Sequence, residues 1–132
     1  EILFSKDWTA WITYLLREDI DWIISGWILR FQNISNIPSE YIELVLNSIL
    51  IQKEIERQTN WALIQHLKIT DALNFDIPLI WDDKIKIITE KIQKSFEAKT
   101  KSKNLLEVAK KAVEIYIEKD EEKGFEFINN NV

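Results

Sequence analysis

Two glycines and two prolines, Gly26, Gly124, Pro38 and Pro78, are all that a chain of 132 residues places against regular structure. Sheet proteins put such residues at their frequent tight turns, so their scarcity favours long helices joined by short connections. The expectation is an all-α, single-domain bundle of about six helices over residues 1–132. Hydrophobic residues at 46% and charged residues at 30% suit a globular core.

Apolar spacing sets the expected helices at about 5–17, 19–33, 38–57, 60–74, 80–99 and 102–123. Trp8, Trp11, Ile12, Leu15 and Leu16 recur at three- and four-residue intervals. Ile20, Ile23, Ile24, Trp27, Ile28 and Phe31 do the same, with Trp22 and Leu29 off the stripe. Pro38 suits a helical first turn, and the segment behind it is apolar nearly all round, as in a central helix. The run Asn60–Asn74 holds the single histidine, His66, and ends before a bend at Phe75–Leu79. Lys99–Ser102 reads as a connector, and Gly124 as the stop of the last helix. The acidic pairs Asp19/Asp21 and Asp82/Asp83 read as helix starts.

Several function classes lose support. The net charge of -5 and pI near 5.0 argue against a nucleic-acid partner. The lysines at 99, 101, 103, 110 and 111 read as a solvated helix face. No apolar run approaches the roughly 18 residues of a membrane span. Without cysteine there is no thiolate site, and the two glycines lie too far apart for a phosphate loop. One histidine, with Leu63 three residues before it, fails the di-iron bundle pattern. Neither a catalytic residue nor a metal site is expected. Asn33-Ile34-Ser35 matches an N-glycosylation triplet.

His66 has two readings, a core imidazole bonded to a carbonyl or a polar group facing a pocket, where it could ligate a metal-porphyrin. The six tryptophans are ambiguous in the same way, as core or as walls of an apolar cavity. Arg30, beside Trp27 and Phe31, could meet a ligand carboxylate or form a surface ion pair. The candidate pocket set is therefore Trp27, Arg30, Phe31, Trp61, His66, Ile69 and Trp81. A candidate docking set is Trp22, Leu29, Phe125 and Phe127.

The segments Ile20–Trp27, Gln65–Ile69 and Leu105–Lys119, with Trp81 leading a long helix, resemble globin-fold sensor domains of bacterial stress and sporulation signalling. That resemblance implies a bundle whose pocket senses a small molecule, with His66 at the proximal-type position. Some such domains bind haem and others take up a fatty-acyl chain. The lack of a second histidine favours the non-haem branch, so no cofactor is expected. Dimerisation through Trp22 and Leu29, or a partner signalling protein, would follow. The expected function is thus a non-catalytic, cytoplasmic sensor for a small apolar ligand. The alternative is a helical protein-interaction module without one, docking through Phe125, Phe127 and Ile128 or the Trp8/Trp11 face.

Overall fold

The computed structural model describes residues 1–7, 12–18, 21, 23–58 and 67–131. They form three strands, β1 (Ile2–Ser5), β2 (Thr13–Leu15) and β3 (Ile28–Phe31), followed by five helices. The helices are α1 (Ser39–Leu46), α2 (Ile49–Gln58), α3 (Ile69–Leu73), α4 (Asp82–Glu118) and α5 (Glu121–Asn131). This mixed α/β architecture corrects the all-α expectation, and the globin-like bundle falls with it. The chain divides into two compact units, Glu1–Thr89 and Glu90–Val132.

In the first unit the strands make one antiparallel sheet in the order β2-β1-β3. Register places Ile2 beside Leu15 and Phe31, and Phe4 beside Thr13 and Leu29. Because side chains alternate along a strand, these residues share one face, which is the inward one. Ile2, Phe4, Thr13 and Leu15 are buried there. Leu3, Tyr14 and Arg30 occupy the opposite face. β-Branched and aromatic side chains fit such a half-covered pleat, and short strands display too few of them for the two-residue period to stand out. Gly26 lies in the turn that feeds β3, where the Ile28 N–H donates to the Ser25 carbonyl at 3.0 Å. The expected helices over 5–17 and 19–33 are therefore replaced by strands at 13–15 and 28–31. Asp21 is not helical, whereas Asp82 and Asp83 do open α4.

The core joins the inner sheet face to Tyr41 and Val45 of α1, Ile51 and Ile55 of α2, Leu67, Ala72, Phe75 and Ile85. Phe4 is its centre, fully buried, with Phe31 edge-on at 6.0 Å and Phe75 at 6.1 Å between ring centroids. Each such buried ring or branched chain contributes about 1.5–3 kcal/mol of transfer free energy. The Leu67 N–H donates to the Lys6 carbonyl at 2.9 Å, seating a buried leucine beside β1.

Helix α1 works as three interleaved pairs four residues apart. Tyr41 and Val45 enter the core, Glu43 and Asn47 turn to β2, and Ile42 and Leu46 face a surface groove. The Asn47 Oδ1 accepts the Thr13 N–H at 3.0 Å while its Nδ2 donates to the Thr13 carbonyl at 3.1 Å. The Glu43 Oε1 accepts the buried Leu15 N–H at 2.9 Å, and its Oε2 pairs with Arg17 at 3.2 Å.

The expected 38–57 helix is interrupted at Asn47 and Ser48, giving α1 and α2. Of the expected 60–74 helix, α3 covers its end, while residues 59–66 lie outside those described. Lys99–Ser102 is not a connector, because α4 runs through it. Lysine, serine and threonine cost a helix only tenths of a kcal/mol each, too little to stop it without glycine or proline.

The second unit is a hairpin of the rest of α4 with α5. Asp120 caps α5: its Oδ1 accepts the Lys123 N–H at 2.8 Å. Gly124 sits inside α5 and does not end a helix. A Cβ there would lie 3.1 Å from the Ala112 carbonyl oxygen and 3.3 Å from the Tyr116 Cβ, so glycine permits the close approach of the two helices. No helix among the described residues is long and apolar enough to cross a membrane.

Candidate functional site

A groove of about 380 Å³ opens on the first unit. Its walls come from sequence-distant pieces: Ile2 and Phe31 of the sheet, Ile42 and Leu46 of α1, Ala72 and Leu73 of α3, and Phe75 and Ile77 of the loop before α4. Local hydrogen bonds hold these pieces in place. Asn33 accepts from the Ser35 backbone and hydroxyl at 3.0 and 2.7 Å, an Asx-type turn that shapes one rim. Its Nδ2 donates to the Ile37 carbonyl at 2.7 Å and to the Ser39 Oγ at 3.0 Å, so the amide of the glycosylation triplet is already engaged in the loop. The Tyr41 hydroxyl donates to the Pro78 carbonyl at 2.7 Å, tying the Phe75–Pro78 segment to α1.

Among the described residues the lining is apolar apart from Gln32, Asn33 and Ser35 at one side, and none of those side chains is ionisable. At the mouth, Ile34 is 94% and Leu73 is 67% exposed. Such a surface can hold an apolar group by contact and excluded water and orient a polar head at the amide rim.

Of the expected pocket residues that are described, Phe31 alone lines this groove. Arg30 follows the alternation to the other face, where its Nε donates to Glu1 at 2.9 Å. This is the surface ion pair of its two readings. Trp27 is exposed in the turn before β3, and its carbonyl accepts the Lys6 N–H at 3.0 Å. Ile69 is exposed at the start of α3, and Trp81 is 80% exposed just before α4. Trp61 and His66 lie outside the described residues, as do Trp22, Trp8 and Trp11. Of the docking set, Leu29 packs against the core, Phe125 is exposed on α5 and Phe127 is half-buried there. Ile2, Ile42, Leu46, Ala72, Phe75 and Ile77 escaped the sequence reading. The four-residue spacing of Ile42 and Leu46 and the extended stretch before Pro78 were the signals for part of that wall.

In the second unit, two titratable groups are perturbed. Asp120 is held below the usual carboxylate range by the hydrogen bond from the Lys123 ammonium, then by that from the Lys123 N–H. Lys123 is raised by the same side-chain bond. Among the described residues no group of three histidine, cysteine, aspartate or glutamate side chains could hold a metal ion.

No protein-family model matches the chain, and no curated protein or solved structure shows significant similarity to it. The groove therefore rests on its own geometry.

Proposed function

We propose that this chain is a non-catalytic regulatory module of the cytoplasm whose amino-terminal unit takes up a small apolar ligand, of acyl-chain type, in the groove beside α1. The observation that carries the reading is the apolar wall of Phe31, Ile42, Leu46, Phe75 and Ile77 ending in a rim of amide and hydroxyl groups. A volume of about 380 Å³ falls within the range of about 300–1,000 Å³ common for small-molecule sites. The apolar character of the described lining favours binding over chemistry. The reading does not depend on a globin pocket or on His66.

The test is lipid extraction of the purified protein followed by mass spectrometry, together with titration of an environment-sensitive fluorescent fatty acid. Saturable binding is expected, and Ile34→Asp and Leu73→Asp at the mouth weaken it about tenfold or more. Ile69→Asp, exposed outside the lining, leaves it unchanged. Finding no copurifying molecule and no saturable binding would defeat the proposal.

A second reading, a protein-interaction module, is favoured by the run Leu79-Ile80-Trp81, three consecutive large apolar residues exposed before α4. It is supported instead if Trp81→Ala abolishes capture of a partner while the fatty-acid titration shows nothing.

A further inference from the structure

On α4 of the second unit, Leu106, Ala109, Val113 and Ile117 recur at intervals of three or four residues and are all exposed. Val113 is 58% and Ile117 76% exposed. With 3.6 residues per turn, Leu106, Val113 and Ile117 lie within about 40° of one another. Ala112, buried to 3% against the Gly124 backbone, points roughly 120° away from them. Helix α5 therefore covers one side of α4 and leaves a second apolar stripe in water.

Charge identifies what covers it. Residues 99–111 carry five lysines against one glutamate, and residues 114–126 carry six acids against two lysines. A partner helix must offer a matching apolar stripe and the reverse order of charge. This unit itself, turned end for end, has both.

We infer that a second copy of this chain docks on the stripe, α4 against α4 and antiparallel, so that two hairpins form a four-helix bundle. Leu106 of one copy meets Ile117 of the second, and Ala109 meets Val113. Each basic segment then runs beside the other copy's acidic hairpin end. A parallel pairing would set lysine against lysine and acid against acid. The spacing is that of a coiled-coil seam, in which alternating large and small side chains interdigitate.

The full chain in sedimentation equilibrium is expected to pass from monomer to dimer with rising concentration. Val113→Glu should weaken association by about tenfold or more. Its circular dichroism should keep the parent helix content, since Val113 is at the surface. Because the chain has no cysteine, orientation is read by disulfide trapping. In the antiparallel register the two 106 positions lie roughly 16 Å apart along the axis, beyond the reach of a disulfide. Leu106→Cys alone should stay unlinked, while a mixture of Leu106→Cys and Ile117→Cys should link on oxidation. Three results would overturn the inference: a monomer up to about 0.1 mM, a dimer indifferent to Val113→Glu, or self-linkage of Leu106→Cys.

Discussion

Replacing Glu43 with alanine should destabilise the amino-terminal unit more than its position near the surface suggests. One carboxylate oxygen takes the Leu15 N–H at 2.9 Å in a buried site, and the other takes Arg17 at 3.2 Å. The two side chains of that ion pair are only 26% and 12% exposed. Truncation leaves a buried amide without an acceptor, at about 1–3 kcal/mol. Loss of the partly screened pair adds about 0.5–1 kcal/mol. Together they make about 1.5–4 kcal/mol, a sizeable fraction of the roughly 5–15 kcal/mol that holds a domain folded. Glu43→Gln keeps an acceptor oxygen and loses only the charge, so it should cost about 1 kcal/mol. Asn47→Ala removes both bonds to Thr13 and should fall between the two. The assay is the urea midpoint at constant slope, paired with amide hydrogen exchange at Thr13 and Leu15. A Glu43→Ala protein within about 0.5 kcal/mol of the parent, with the Leu15 amide still slow to exchange, would refute the reasoning.

Gly124→Val should separate α5 from α4. The added carbon meets the backbone oxygen of Ala112, which cannot move aside, and the few tenths of a kcal/mol gained in helix propensity do not offset that clash. Limited proteolysis should then remove α5 faster, and an unchanged cleavage rate would count against the close approach. Asp120 predicts a pH dependence confined to the hairpin. Its folded-state value lies below the ordinary 3.8 because Lys123 donates to it. Its stabilisation is therefore complete above that ordinary value and lost as pH falls through the lower, folded one. The protection factor of the Lys123 amide should fall as pH drops across that interval, and Asp120→Ala should abolish the dependence. A protection factor that rises as pH drops through the same range would contradict the sign.

The helical half was legible in the sequence because helices announce themselves over many residues. The apolar positions Ile85, Ile88 and Ile92 lie on one side of α4, and Asp82 and Asp83 mark its start. The sheet was not legible, for three physical reasons. A strand such as Thr13–Leu15 shows one and a half periods of alternation, which any helical stripe can contain by chance. The Ser25-Gly26 pair in the second apolar stretch was the turn signal, and it was outweighed by six well-spaced apolar residues around it. Finally, β2 is completed by the side chains of Glu43 and Asn47, about thirty residues later, a pairing that no local pattern encodes. The groove suffered the same fate. Phe31 was legible as an apolar ring, but its neighbours Leu46, Ala72 and Ile77 meet it only through tertiary folding. Arg30 and Phe31, adjacent in the chain, were grouped together when strand geometry sends them to opposite faces.

The carboxamide of Asn47 presents to Thr13 the same donor and acceptor that a neighbouring peptide group would present. That amide thus occupies the lateral position where a foreign β-segment would otherwise zip on. Unshielded strand borders are where native sheets recruit other chains into aggregates. Lateral growth of this sheet is closed on the β2 side by two side chains of one helix, Asn47 at Thr13 and Glu43 at Leu15, and losing them would open that border to self-templated stacking.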